Sequence, residues 1–284
     1  MIRKILVPVR GDGKGDNVLA HAAALAHRNK SHIEVAHCRV RPQDMMPSGV
    51  PLPSMLRKQL ARQAEELANF EEASLKDELE ALAEKLGLAL EEGSHGVRAT
   101  VSWVEEPGKM VDVIRRHGRL ADLIAVPQPD VDRNLGANSL KAALFRTGRP
   151  VLMVPNDVAP PETLGAHVTI AWNGSLESSK AVTMTLPILH GAERVTILSS
   201  GGEPVSATAA DLQAYLAAHG IASQIHAFEG ARNVGKVLLA ASREVGADML
   251  IMGAYGDSHE KETIFGGNTQ HVVDKARMPV VLVH

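Results

Sequence analysis

The chain has 284 residues, 45% of them apolar and 22% charged, with a formal net charge of −3. That length suits one large core or two domains of about 140 residues. The near-neutral charge and the 3% aromatic content argue against a nucleic-acid binder, which needs basic stripes or stacking platforms, and offer nothing to an anionic membrane surface.

The single cysteine, Cys38, forms no intrachain disulfide and no cysteine-based zinc cluster. Met1-Ile-Arg-Lys-Ile-Leu-Val-Pro8 runs straight into a strand pattern without the apolar core of a signal peptide. No apolar run approaches the roughly 18 residues of a membrane span. The expectation is a cytoplasmic protein.

Short aliphatic runs alternate with helical patterns, as in βαβ units on a parallel sheet. In the first half, strands are predicted at Lys4–Val9, Ile33–Arg39, Val97–Val104, Asp122–Pro127 and Pro150–Val154. They are aliphatic without strict alternation, the pattern of strands buried on both faces. Asp16 is a suitable N-cap for a helix through His27. A long amphipathic helix is predicted over Ser54–Leu86, with Leu56, Leu60, Leu67, Phe70, Leu75, Leu79, Leu82 and Leu86 at helical spacing. Packing of that stripe on the sheet is the simpler account; a partner-binding coiled coil is the other.

Pro155-Asn-Asp-Val-Ala-Pro-Pro-Glu-Thr-Leu-Gly165 reads as a linker, dividing the chain into residues 1–156 and 157–284. The second half repeats the scheme. Strands are predicted at His167–Trp172, Arg194–Ser199, Ser223–Phe228, Asp248–Gly253 and Pro279–Val283, and helices at Leu176–His190, Ala207–His219, Asn233–Val245 and Thr269–Ala276. Three stretches match between the halves in the same order. Ala121-Asp-Leu-Ile-Ala-Val126 corresponds to Ala247-Asp-Met-Leu-Ile-Met252, and Gly136-Ala-Asn-Ser139 to Gly266-Gly-Asn-Thr269. Gly148-Arg-Pro-Val-Leu-Met-Val-Pro155 corresponds to Arg277-Met-Pro-Val-Val-Leu-Val-His284. Such ordered matches point to an internal duplication.

The segment richest in chemical meaning is Gly253-Ala-Tyr-Gly256, nine further residues, then Gly266-Gly267-Asn268-Thr269. It starts where a predicted strand ends and finishes by opening a helix, the place where open α/β sheets bind ligands. Glycines allow close backbone approach to a phosphate. The following helix N-terminus presents unpaired N–H groups and a favourable dipole to an anion. Thr269 is positioned to cap that helix or to bond a phosphate oxygen.

From Lys4-Ile-Leu-Val-Pro8 to Pro279-Val-Val-Leu-Val-His284 the chain resembles the universal stress protein family in its tandem, two-domain form. The resemblance implies two tandem five-stranded parallel sheets with flanking helices. It further implies ATP bound through a G-x2-G-x9-G-(Ser/Thr) loop, whose glycines correspond to Gly253, Gly256 and Gly266. Two positions depart from the family pattern. Gly267 stands where the motif has its hydroxyl, with Asn268 and Thr269 just beyond. Asn173, in Trp172-Asn-Gly-Ser175, stands at the end of the first strand where the family usually has Asp near the adenine. In this family the terminal strands often pair two domains. Pairing of Val151–Val154 with Val280–Val283 within one chain would then give a pseudo-two-fold arrangement, an intrachain pseudo-dimer that covers both edges.

The first repeat departs further. Its first strand ends in Val9-Arg10, and its fourth is followed by Val126-Pro-Gln-Pro-Asp-Val-Asp132. Proline removes backbone donors and aspartate repels phosphate, so this loop is a poor anion nest. Repeat one is expected to be a degenerate, mainly structural partner.

Other patterns carry less. Gly230-Ala-Arg-Asn-Val-Gly-Lys-Val237 nearly matches a P-loop, but Val237 replaces the Mg²⁺-binding hydroxyl. Gly11-Asp-Gly-Lys-Gly15 is not a dinucleotide fingerprint and reads as a turn. Thirteen histidines are scattered without metal-ligand spacing. No catalytic triad or nucleophile elbow can be assigned. The expected protein is a stress-response regulator that binds ATP or another adenine nucleotide, with or without Mg²⁺, in repeat two. Its expected site is Ala171, Trp172, Asn173, Gly253, Gly256, Gly266, Gly267, Asn268 and Thr269, with no catalytic or metal-ligating residues and little or no hydrolysis. A further homodimer is compatible with this reading. The alternative is a structural or interaction protein that has lost the nucleotide and uses the long helix as its contact surface.

Overall fold

The computed structural model describes residues 1–9, 15–39, 54–93, 96–130, 136–200, 206–228, 233–256 and 267–284. The first half contains, in order, β1 (Lys4–Val9), α1 (Gly15–Asn29), β2 (His32–Arg39), α2 (Ser54–Lys85), β3 (Ala89–Leu90), β4 (Thr100–Pro107), α3 (Met110–Gly118), β5 (Leu123–Pro127), α4 (Ala137–Thr147) and β6 (Val151–Val154). The second half contains β7 (His167–Trp172), α5 (Leu176–Gly191), β8 (Arg194–Ser200), α6 (Ala209–Ala218), β9 (Gln224–Phe228), α7 (Val234–Glu244), β10 (Met249–Gly253), α8 (Gly267–Lys275) and β11 (Val280–Val283).

Each half is a parallel sheet with the same strand order, β4-β2-β1-β5-β6 in the first and β9-β8-β7-β10-β11 in the second. The two-residue β3 extends the first sheet beyond β4. The edge strands β6 and β11 pair antiparallel, with Val280 opposite Met153, Val281 opposite Leu152 and Leu282 opposite Val151. The two predicted sheets are thus joined into one of eleven strands among the described residues. Their central strands are buried end to end, as in Val-Leu-Met-Val of β6 and Val-Val-Leu-Val of β11.

Alternate side chains of these strands enter two apolar layers. Ile5, Val7, Leu152, Val154, Ile170 and Val281 face one layer, which holds buried residues of α1, α2, α5 and α6. Leu6, Val151, Met153, Leu250 and Leu282 face the other, built with α3, α4, α7 and α8. Burial on both faces explains why the strand sequences are aliphatic runs rather than alternating ones.

Several boundaries differ from the sequence-based expectation. Helix α1 begins at Gly15, which puts Asp16 in the first turn rather than at the cap. Strand β4 begins at Thr100, because Gly93 and Gly96 take positive φ and turn the chain before it, leaving Val97 exposed. Helix α3 has no counterpart among the elements expected from the sequence; its stripe of Met110, Val113 and Ile114 spans only two turns, too short for periodicity to stand out. Helix α8 begins at Gly267, two residues before the expected Thr269. In α2 the described residues Leu79 and Ala83 are buried, and Leu82 packs against the same layer. Leu56, Leu60, Leu67 and Phe70 lie outside the described side chains.

Polar side chains also bind the halves together. Gln128 is 6% exposed and donates through Nε2 to the Val273 carbonyl at 2.7 Å, while its Oε1 accepts from the Asn156 amide at 3.2 Å. Arg28 donates to the Gly191 carbonyl from both Nε and a terminal nitrogen. Phe145 of α4 touches the rings of Tyr255 and His284 at centroid distances of 5.4 and 4.7 Å.

Three imidazoles sit in the fold with their pKa below the ordinary value of 6.5, burial being the leading cause for His21, His32 and His167. His21 is fully buried. Its Nδ1 donates to the Asn17 carbonyl at 2.9 Å, and its Nε2 has no partner among the described residues.

Two outcomes follow from these contacts. Gln128→Leu leaves the Val273 carbonyl and the Asn156 amide without their side-chain partner, so urea denaturation should show a loss of about 1–3 kcal/mol. The buried imidazoles are neutral in the fold and take up protons more readily when unfolded. Stability is therefore full above pH 6.5 and falls as the pH drops below it. His21→Leu, which keeps the apolar volume, should flatten that fall in denaturation curves between pH 7.5 and 5; an unchanged slope would assign the acid sensitivity elsewhere.

Candidate functional site

A cleft of about 290 Å³ opens at the carboxyl ends of β7, β8, β9 and β10. Its volume lies near the lower end of the range for small-molecule sites. It sits where strand order reverses, between β7 and β10, which leads their following helices to opposite faces and leaves a crevice above the strand ends.

The strand ends supply the floor. Ala171, Leu198 and Met252 face the same layer as α7 and α8, and all three line the cleft together with Phe228 at the end of β9. Val234 and Leu238, one turn apart on α7, form an apolar wall. Opposite stands the start of α5, with Ser175, Glu177 and Ser178. The start of α8 closes the side with Gly267, Asn268 and Thr269.

Eight of the nine residues singled out from the sequence meet in this one cleft: Ala171, Trp172, Asn173, Gly253, Gly256, Gly267, Asn268 and Thr269. Gly266 lies outside the described residues. Their local roles differ from the expected ones in instructive ways. Trp172 is buried in the layer under α5 and α6, and its Nε1 donates to the carbonyls of Ala207 and Thr208 at 3.0 and 3.1 Å. It fixes the rim, tying β7 to the start of α6. Asn173 uses its Oδ1 to accept from the Ser175 amide at 3.1 Å. Ser175 in turn is the N-cap of α5, with its hydroxyl accepting from the Ser178 amide at 3.2 Å.

The glycines separate into two kinds. A methyl group on Gly253 would lie 2.5 Å from the backbone carbon of Glu177 and 2.6 Å from the nitrogen of Ser178. The end of β10 and the start of α5 pack too closely for any side chain there. Gly267, by contrast, would meet nothing within 4 Å among the described residues. The absent hydroxyl at that position is therefore not excluded by packing. The hydroxyl further along, on Thr269, is buried and accepts from the Tyr255 amide at 3.4 Å. It holds the loop after β10 against α8.

Tyr255 takes a left-handed backbone with φ of 58°, a conformation that costs a non-glycine residue about 1–2 kcal/mol. Burial, followed by the nearby Asp274 carboxylate, pushes its phenol to a higher pKa, so it is a neutral wall of the cleft. Glu177 carries the one formal charge among the described lining residues.

Sequence reasoning missed Glu177, Leu198, Ser200, Phe228, Val234, Leu238 and Tyr255. The ends of β8 and β9 could have been included, since a switch-point crevice is bounded by the strands on both sides. Nothing in the letters around Glu177 places its carboxyl across from Gly256. The P-loop-like stretch is described from Asn233 onward, and there its glycine has a packing function. A methyl on Gly235 would collide with the Asn268 carbonyl, so that glycine lets α7 approach α8.

Among the described residues, no group of three or more His, Cys, Asp or Glu side chains converges as a metal centre, and no helix is long and apolar enough to cross a membrane.

The model of the universal stress protein family matches residues 1–130 and 168–284. A universal stress protein from Archaeoglobus fulgidus DSM 4304 superimposes with a TM-score of 0.71 at 18% identity, covering 99% of this chain and 97% of that one. A functionally unknown protein from Pseudomonas aeruginosa PAO1 superimposes with a TM-score of 0.61 at 16% identity, covering 99% and 92%. No curated protein matches the chain in sequence. The two matched segments take in β1 to β5 of the first half and the strands of the second, and the chain belongs to the universal stress protein family in its tandem two-domain form.

Proposed function

We propose that the second repeat binds an adenine nucleotide, ATP or a relative of it, and that the protein acts as a stress-response regulator through occupancy rather than turnover. The observation that carries this reading is the convergence of Ala171, Asn173, Gly253, Gly256, Gly267, Asn268 and Thr269 on one switch-point cleft. These residues come from three separate stretches of the chain, the G-x2-G-x9-G pattern with its following helix start and the end of β7. The apolar wall of Leu198, Phe228, Val234 and Leu238 suits a flat base. The start of α8 presents backbone N–H groups toward an anion.

Asn173 offers its amide nitrogen toward a base or sugar, since its oxygen is engaged with Ser175. Mg²⁺ accompanying the nucleotide would find in Glu177 the one carboxylate of the described lining; magnesium takes few protein carboxylates and keeps several waters. In this reading the ligand orders the segment after Tyr255 and so biases the surface of repeat two.

The site is testable at Gly267, where no described residue lies within 4 Å of an added methyl group. Gly267→Asp should leave the melting temperature within about 2 °C of the parent, since an acidic residue suits the first turn of a helix. The same variant should weaken binding of Mg·ATP at least about tenfold in calorimetric titration. Gly267→Ser should bind as well as the parent or better. Gly253→Ala, by contrast, should lower stability by more than about 2 kcal/mol through overpacking against α5, so loss of ligand there reports folding rather than contact. Single-turnover assays should show bound ATP leaving intact more often than it is hydrolysed. Absence of heat with ATP, ADP and AMP would favour the reading as an interaction protein that has lost its nucleotide.

A further inference from the structure

Glu177 stands in an unusual place for a phosphate-holding loop. A methyl group on Gly256 would lie 2.5 Å from its Oε2 and 2.9 Å from its Cδ, so the carboxyl group occupies the space that this glycine leaves free. Gly256 is the second glycine of the motif, where the backbone is expected to approach a phosphate. The carboxylate forms no hydrogen bond or ion pair among the described residues, and the described lining includes no lysine, arginine or histidine to balance it. Its position in the first turn of α5 is favourable to that helix. That benefit needs only a carboxylate near the helix end, whereas this one is laid against the loop opposite.

The electrostatic consequence depends on what enters the cleft. A carboxylate accepts hydrogen bonds from sugar hydroxyls, as acidic residues do at nucleotide sites on related sheets. It repels phosphate oxygens, and more strongly as their charge rises. Within a partly enclosed cleft that repulsion is weakly screened. Among the described residues the donors opposing it are neutral: the hydroxyls of Ser175, Ser178 and Ser200, the Asn173 and Asn268 amides, and backbone N–H groups. Ser175 and Ser178 are already committed to each other.

We propose that Glu177 is the specificity-determining residue of this cleft, and that it selects adenine ligands by charge: the nucleoside or its monophosphate over the uncomplexed triphosphate. The proposal rests on the adenine-nucleotide reading of the same site and narrows it. The carboxylate accepts from the ribose side of the ligand, and a long anionic tail is turned away from Gly256.

The experiment is calorimetric titration with adenosine, AMP and ATP in buffer containing EDTA, on the parent and on Glu177→Gln, which keeps the size and one acceptor oxygen. The parent should bind adenosine at least about tenfold more tightly than ATP, with AMP between them. Glu177→Gln should improve ATP binding about tenfold and weaken adenosine binding, whose ribose hydroxyls lose a charged acceptor, so that the preference for adenosine over ATP falls. Melting curves without ligand establish that the variant is folded. Equal affinities for adenosine and ATP in the parent, or an unchanged ratio in the variant, would overturn the role of Glu177 and leave the nucleotide site standing. No binding of any of the three ligands by either protein would overturn both.

Discussion

The antiparallel pairing of β6 with β11 is the interaction on which the rest of the molecule depends. Both strands are four consecutive apolar residues, buried on both faces. Left at the edge of separate sheets, each would expose unpaired backbone groups beside a wholly apolar strand, which invites association with other chains. Pairing them satisfies those groups within one molecule and joins the sheets of the two halves into one continuous layer. It also makes each apolar layer continuous across the seam, because alternate residues of β6 and β11 point to the same two layers. The polar bonds of Gln128 and Arg28 then act on a geometry the seam has already set.

That geometry gives the two repeats different work. The loop after β5 and the loop after β10 leave equivalent strand ends, and both hydrogen-bond the neighbouring edge strand, Gln128 to Val154 and Ala254 to Val283. In the first repeat the side chain at this point, Gln128, is buried and bonded across the seam. In the second, the equivalent Ala254 is a small side chain buried in the apolar layer, and Tyr255 beside it lines the cleft and touches Phe145 of the first repeat. The first repeat, which has no G-x2-G after β5, contributes a side chain to the joint. The second, with Gly253 and Gly256 after β10, has an open cleft with a wall that touches the first repeat.

The glycines of the motif show how a sequence pattern can be right in place and mixed in cause. Gly253 is required by the approach of α5, whatever the cleft binds. Among the described residues nothing crowds Gly267, and Gly256 makes room for a carboxylate. A spacing rule cannot separate these, because it registers the absence of a side chain and not what fills the space. The same holds for Trp172, whose position next to the site is visible in the sequence while its use as a tie to Ala207 and Thr208 is not.

The sequence by itself determined the element pattern, the duplication and the strand ends at which a ligand could be held. These follow from local physics: aliphatic runs for doubly buried strands, helical periodicity over long segments, and glycine at turns. It left short features such as α3 and β3 unread, since two turns or two residues hold too little periodicity. The tertiary structure alone decided which side chains from distant stretches share a space. Glu177 and Gly256 lie 79 positions apart in the chain, and Gln128 and Val273 are separated by 145. No local preference couples such pairs; their meeting is set by the strand order, the crossing of α5 over β10 and the closure of the seam.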